Sequence, residues 1–230
     1  MNETGSPPFR RAVFLWYTDN VKDGPAGLQT FRTKRGEGMG ATDVKLYFWD
    51  AEQSPDWPPT EEQVAAFPAF YATRYRETKA EQIRQQACGS AFLLAMHLGI
   101  TSDEQLERGA HGKPSMQDDP PFFNLSHSGA VTVLAVSDAP VGVDLEHITE
   151  PRESVARRFF PEPFQQELDA APEENRPETF FRLWTRLEAA LKLDSRGLTA
   201  PRSEFESVLA QYDLSTDREG DLLWSIATEK

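Results

Sequence analysis

Hydrophobic residues recur on two different periods along this chain, and the two periods divide it into strands and helices. Alternation marks Val44 to Trp49 as a first strand, Phe122 to Leu125 as a second, and Ala130 to Ser137 as a buried third. Asp138-Ala139-Pro140 then turns the chain into Val141 to Glu146, expected to run antiparallel. Phe205 to Tyr212 and Leu222 to Ala227 read as two closing strands around a turn at Asp217 to Gly220.

Helical spacing appears elsewhere. Thr60-Glu61-Glu62-Gln63 has the form of a capping box and opens a short helix through Ala65 and Phe67. Thr78-Lys79-Ala80-Glu81 has the same form, ahead of a stripe at Ile83, Ala87, Ala91, Leu94 and Leu98 that runs to Gly99. Arg157 to Pro161 ends one short helix and Pro163 to Ala170 makes another. Phe180, Trp184, Leu187 and Leu191 lie on one stripe of a further helix, with Pro177 in its first turn and Gly197 at its end.

Strand, helix and strand-pair units therefore occur in both halves, which predicts an α+β fold of two similar lobes meeting near residue 140. Residues 44–140 would form the first lobe and residues 141–230 the second. Residues 1–43 look different, with Pro7-Pro8, a possible short strand from Arg10 to Tyr17, and glycine and charge from Asp19 to Gly40. The expectation is a flexible extension. An alternative is that translation starts at Met39, which the mass of the native amino terminus would test.

Composition narrows the classes. At 230 residues, 39% hydrophobic and 27% charged, the chain is long enough for one substantial domain or two small ones sharing a core. No apolar run reaches membrane-spanning length, and the amino terminus lacks the basic-then-apolar order of a signal peptide, so a cytoplasmic protein with no membrane partner is expected. The single cysteine, Cys88, excludes an internal disulfide and reads as a small buried helix residue. A net charge of -13 argues against nonspecific nucleic-acid binding.

Within this acidic chain a few positions carry candidate chemistry. On the strand from Val141, Asp144 and Glu146 project from the face opposite Val141, Val143 and Leu145. Two carboxylates so placed either face solvent on an edge strand or share a hard cation such as magnesium. Glu188 and Lys192 stand four apart on the long helix, as an ordinary surface ion pair or as a third carboxylate beside a phosphate-facing lysine. Arg74, Arg76, Lys79 and Arg84 form a basic run that is either a solvated helix face or an anion-binding surface. Ser126-His127-Ser128-Gly129 would end its strand as a turn or as a set of donors for a phosphate. No acid lies near enough in sequence to suggest a Ser-His-Asp triad. His97 reads as a satisfied histidine at a helix terminus.

Taken in order, GKP at 112–114, FNLSHS at 123–128, VGVDLE at 141–146, RRFF at 157–160 and the segment from FFRLWTRLEAALK to SRGL at 180–198 resemble the 4'-phosphopantetheinyl transferase superfamily, in its monomeric, two-lobed Sfp form. The resemblance spans Val44 to Trp224 and implies two α+β lobes in a pseudo-twofold arrangement. It implies transfer of 4'-phosphopantetheine from coenzyme A to a serine of an apo acyl or peptidyl carrier protein, releasing 3',5'-ADP. By matching position, Asp144, Glu146 and Glu188 would hold magnesium with the pyrophosphate. Lys113, Ser126 and His127 would contact the nucleotide end, His127 at the 3'-phosphate, with Arg84 a further coenzyme A contact. Glu188 would take the serine proton and Lys192 would neutralise the leaving phosphate.

Three departures bear on this. The family's usual lysine before the glutamate is Leu187 here, which joins the apolar stripe. The sequence stops at Lys230, soon after Leu222 to Ala227, which would leave the second lobe short of its last strand or mark the sequence as cut short. The first 43 residues have no counterpart in the family pattern. The competing reading is a degenerate protein of the same fold that binds coenzyme A or a carrier protein without turnover.

Overall fold

The computed structural model describes residues 28–32, 43–109, 112–116 and 120–230. The first lobe's sheet has the order β1 (Leu28–Arg32), β2 (Val44–Asp50), β6 (Val131–Ser137), β5 (Phe122–Ser128). All neighbours are antiparallel. β1 lies inside the stretch expected to be a flexible extension, and its pairing of Leu28 with Trp49 through Arg32 with Lys45 corrects the lobe boundary at residue 43. The expected strand at 10–17 and the neighbourhood of Met39 lie outside the described residues.

Three helices cover one face of this sheet: α1 (Glu61–Ala65), α2 (Ala69–Glu77) and α3 (Glu81–Leu98). The capping box at α1 forms, with the Thr60 side chain accepting from the Gln63 amide. That expected at Thr78 does not. Thr78 Oγ1 accepts from the Ala80 amide instead, which makes a local turn and leaves Ala80 as an N-cap without a side-chain bond. α3 ends at Gly99 in the left-handed conformation, φ 66°, where a Cβ would be strained. Cys88 is wholly buried in this helix. His97 stacks on Tyr47 at 3.6 Å, and its Nε2 has no hydrogen bond, so it is an apolar-packed ring rather than a satisfied terminus. Burial pushes its pKa down to about 4.

The short strands β3 (Glu107–Arg108) and β4 (Pro114–Ser115) pair beside this lobe. β5 runs unbroken through Ser128, and the turn comes only at Gly129, φ 58°. Thus Ser126, His127 and Ser128 are strand residues: the two serines are buried while His127 points the other way.

The second sheet has the order β7 (Val141–His147), β9 (Leu222–Glu229), β8 (Tyr212–Glu219), again antiparallel. β7 does follow β6 in sequence, yet it pairs with β9, 75 or more residues later, rather than returning on β6. Its helices are α4 (Glu153–Phe159), α5 (Glu162–Ala170), α6 (Arg176–Asp194) and α7 (Arg202–Leu209). The closing strand expected from Phe205 is helix until Leu209, because Phe205 and Val208, three apart and both fully buried, complete the core around α6. α6 ends at Ser195 in the left-handed region, two residues before the glycine expected to stop it.

The two sheets face each other. Val44, Leu46, Phe48, Val133, Val141, Val143, Leu145 and Ile226 make one apolar layer between them, and separate cores bind each sheet to its own helices. The α+β architecture is therefore helix, sheet, sheet, helix, with β5 and β7 meeting at the junction. Leu187 is wholly buried in the α6 core, as its place in the stripe predicts. Among the described residues no helix is long and apolar enough to cross a membrane.

Candidate active site

β7 places its odd residues between the sheets and its even ones toward α6. Gly142 makes the approach possible: a Cβ there would stand 2.1 Å from the Ala189 carbonyl oxygen. The helix is turned by a buried hydroxyl chain in which Thr185 Oγ1 meets Ser225 Oγ at 2.7 Å and Ser225 meets Thr216 at 2.8 Å. Ser225 is the β9 partner of Asp144. Glu188 and Lys192, three and seven residues beyond Thr185, consequently project toward the carboxylates of β7.

The outer edge of β7 is met by side chains rather than by a strand. Asn124 Oδ1 accepts from the Val143 amide at 2.8 Å, Ser126 Oγ donates to Asp144 Oδ1 at 2.8 Å, and Ser128 Oγ donates to Glu146 Oε2 at 2.8 Å while accepting from the His147 amide at 3.1 Å. Every second residue of FNLSHS thus sutures the two sheets. The serines orient the carboxylates, a role that the turn reading of this segment missed.

Lys192 closes the cluster. Its Nζ lies 2.6 Å from Asp144 Oδ1, 2.8 Å from Ser126 Oγ and 3.2 Å from the Val143 carbonyl oxygen. Lys113 reaches across from the first lobe and donates to the Lys192 carbonyl oxygen at 2.7 Å, tying the last turn of α6 to the GKP loop. Asp144 is 3% exposed, which excludes the solvated-edge reading. Its Oδ2 is buried without a hydrogen bond.

The electrostatics follow from this crowding. Burial first, then the charge of Asp144, raises the Glu188 carboxyl to about 7 against the pull of Lys192. The same two causes raise Glu146, opposed by the Ser128 hydrogen bond. Burial and the Lys192 charge lower Lys113. His127 is lowered as well, by desolvation in the cleft wall and then by Lys192. Neighbouring carboxylates that resist ionisation next to an ammonium are the setting in which acid and base roles are divided.

The expected site residues fall into two groups. Asp144, Glu146, Glu188, Lys192, Ser126 and Lys113 meet at the lobe junction, and His127 lines a neighbouring cleft. Arg84 is not brought to either place. It donates to the Tyr75 hydroxyl at 2.7 Å and lies over the Tyr75 ring, so its charge is engaged against that ring. Arg74 and Arg108 line the cleft beside His127 instead. Arg108 carried no sequence signal, standing alone on a two-residue strand.

Residues 140–223 match the model of the 4'-phosphopantetheinyl transferase superfamily. The chain is 41% identical over 113 residues to the 4'-phosphopantetheinyl transferase psf-1 of Bacillus pumilus, covering 49% of this chain and 48% of that protein. It is 32% identical over 111 residues to 4'-phosphopantetheinyl transferase Sfp of Bacillus subtilis, covering 48% and 50%. With a putative 4'-phosphopantetheinyl transferase of Synechocystis it shares 31% identity over 148 residues, 60% of each chain. The chain thus spans about half the length of the curated relatives it matches first. β7, α6 and their carboxylates lie inside the region that is similar to the 4'-phosphopantetheinyl transferase superfamily.

Proposed function

We propose that this protein transfers 4'-phosphopantetheine from coenzyme A to a serine hydroxyl of an apo acyl or peptidyl carrier protein. The observation that carries this reading is the convergence of Asp144, Glu146 and Glu188 with Lys192 at the lobe junction. In the reaction the serine oxygen bonds to the pantetheine-side phosphorus and the bond to the bridging oxygen breaks. The leaving electron pair departs with 3',5'-ADP.

Each residue has a distinct task. Glu188, whose carboxyl is raised to about 7 by burial and the Asp144 charge before any cation binds, accepts the serine proton. Lys192 delivers positive charge to the oxygen that leaves, and Lys113 holds the α6 turn from which Lys192 projects. Ser126 and Ser128 fix the carboxylate rotamers.

Among the described residues no three acidic or imidazole side chains stand close enough to hold a metal ion by themselves, so a divalent cation would share its coordination between these carboxylates and the substrate phosphates. The buried, unbonded Oδ2 of Asp144 is an anionic oxygen of the kind a hard cation coordinates, and Glu146 and Glu188 are the further oxygens on the same side. When bound, magnesium would supply charge neutralisation for the pyrophosphate.

Incubation with coenzyme A, magnesium and apo carrier proteins tests the reading. A mass gain of one phosphopantetheine on a carrier supports it, and no gain across fatty-acid, polyketide and peptide-synthetase carriers contradicts it.

A further inference from the structure

The face of the second sheet beneath α6 is crossed by a polar row. Thr216 of β8, Ser225 of β9 and Asp144 of β7 are register partners, so their side chains stand in line on that face. On β9 the neighbours of Ser225 on the same face are Leu223 and Ala227, both buried and apolar. Ser225 and the α6 residue above it, Thr185, are wholly buried as well. A hydroxyl in such a layer costs free energy unless it is bonded, where alanine or valine carries no such cost.

All three hydroxyls are bonded, and the bonds run in one direction. Thr185 Oγ1 donates to the Arg182 carbonyl oxygen at 3.3 Å, so at 2.7 Å it accepts from Ser225. Ser225, its one proton spent, accepts from Thr216 at 2.8 Å. Thr216 is half-buried on the edge strand of the sheet. The chain stops short of the carboxylates: Asp144 Oδ1 is bonded to Ser126 and Lys192, and its Oδ2 has no hydrogen bond. The hydroxyls therefore have no path for a proton to the site, and what they supply is position.

Gly142 limits how closely α6 approaches β7, because a Cβ there would strike the Ala189 carbonyl oxygen. A steric contact of that kind sets a distance and leaves rotation about the helix axis open. Hydrogen bonds are directional, and the bond from Ser225 to Thr185 removes that freedom. Glu188 lies three residues along from Thr185 and Lys192 seven, on the same side of the helix, so a roll set at Thr185 is carried to both. With strands about 4.8 Å apart, Thr216 acts from roughly 10 Å away from Asp144 and touches nothing in the site.

Building on the proposed transfer from coenzyme A, we infer that Thr216, Ser225 and Thr185 are positioning residues for the reaction: a one-way hydroxyl chain, running from the edge of the second sheet to α6, that sets the roll of the helix and with it the reach of Glu188 and Lys192 to Asp144.

The test compares the whole protein with Thr185→Val, Thr185→Ser, Ser225→Ala, Thr216→Val and the double variant Thr185→Val with Ser225→Ala. Three quantities are measured: the denaturant midpoint, kcat and KM for coenzyme A, and the crystallographic separation of Lys192 Nζ from Asp144 Oδ1, 2.6 Å in the parent. Thr185→Val and Ser225→Ala each leave a buried hydroxyl without its partner, so the midpoint falls, and the double variant, which removes both ends of the bond, regains most of that loss. Activity follows a different order. In both single variants and in the double variant kcat falls by roughly ten- to hundredfold with KM little changed, the scale of a misplacement of about 1 Å. Thr185→Ser restores kcat, Thr216→Val loses less than the buried variants, and in the double variant the contact between Lys192 and Asp144 opens beyond hydrogen-bond reach. A double variant whose kcat recovers along with its midpoint shows a merely structural role and overturns the inference, as does a contact still at 2.6 Å in that variant or a Thr185→Ser that rescues nothing. If Thr185→Val does not fold, Ser225→Ala and the double variant carry the test. A parent that modifies no carrier refutes the proposed transfer, and the crystallographic contact then decides this inference by itself.

Discussion

Lys192 and Asp144, 48 residues apart, meet at 2.6 Å with the carboxylate almost wholly buried. The contact joins α6 to β7 and sets the ammonium against a carboxylate whose neighbours include Glu146 and Glu188. Asp144→Ala removes both the partner of Lys192 and the oxygens offered to a cation. Magnesium-dependent turnover is expected to fall by roughly 100-fold or more, the scale seen when a preorganised charge is deleted. A single-turnover assay with saturating magnesium checks it, and retained turnover removes the metal argument.

Glu188 makes the stability of the fold depend on pH. Its pKa is raised to about 7 from an ordinary 4.5, so in the folded protein it holds a proton that the unfolded chain has released across that interval. The folded state binds more protons there, and stability without metal therefore falls as pH rises from 4.5 toward 7. Glu188→Gln should melt higher than the parent above pH 7 in chelator, with the difference vanishing below the unfolded pKa. Binding a cation must expel the proton, so manganese or magnesium affinity should rise with pH up to about 7 in the parent and lose most of that rise in Glu188→Gln. Titration calorimetry at several pH values measures both.

Gly142 is the hinge point of the packing. An added methyl would meet the Ala189 carbonyl oxygen at 2.1 Å and the Leu193 amide nitrogen at 2.9 Å, both backbone atoms that move only with the helix. Gly142→Ala is expected to cost about 2–3 kcal/mol, at the upper end for overpacking. Activity should fall further than stability does, since α6 carries Glu188 and Lys192 away from β7. Denaturant midpoints alongside kcat at a temperature where the variant is folded separate the two losses.

Asn124 tests the suture between the sheets. It is 3% exposed and its Oδ1 is the acceptor for the Val143 amide. Asn124→Leu keeps the volume but orphans a buried N–H, which costs about 1–3 kcal/mol. The Val143 amide should then exchange with deuterium much faster than amides at the centre of β6, and equal protection would show that β7 is held by packing alone.

Much of this arrangement is legible in the sequence because it is local. The alternation from Val141 to Glu146 and the stripe Phe180, Trp184, Leu187, Leu191 each fix which side chains share a face, and the fold keeps those faces. What sequence conceals is non-local. Whether Phe205 and Val208 belong to a strand or a helix depends on α6 being there to receive them. Ser126 and Ser128 resemble turn residues until β7 lies alongside. Thr78 has a capping residue's chemistry but bonds two residues on. Arg84 sits in the obvious basic run, yet Tyr75 on the preceding helix takes its guanidinium, while the cleft is walled by Arg74 and by an isolated Arg108.

Intact-mass analysis of apo carrier proteins, after incubation with this protein, coenzyme A and magnesium and with a chelator control, tests the central claim most directly. A carrier that gains one phosphopantetheine only when metal is present, and not with Asp144→Ala, is the predicted result. Coenzyme A binding with no carrier modified would contradict it, and would point to Leu187, buried where the family carries a lysine, as the change that silenced the site.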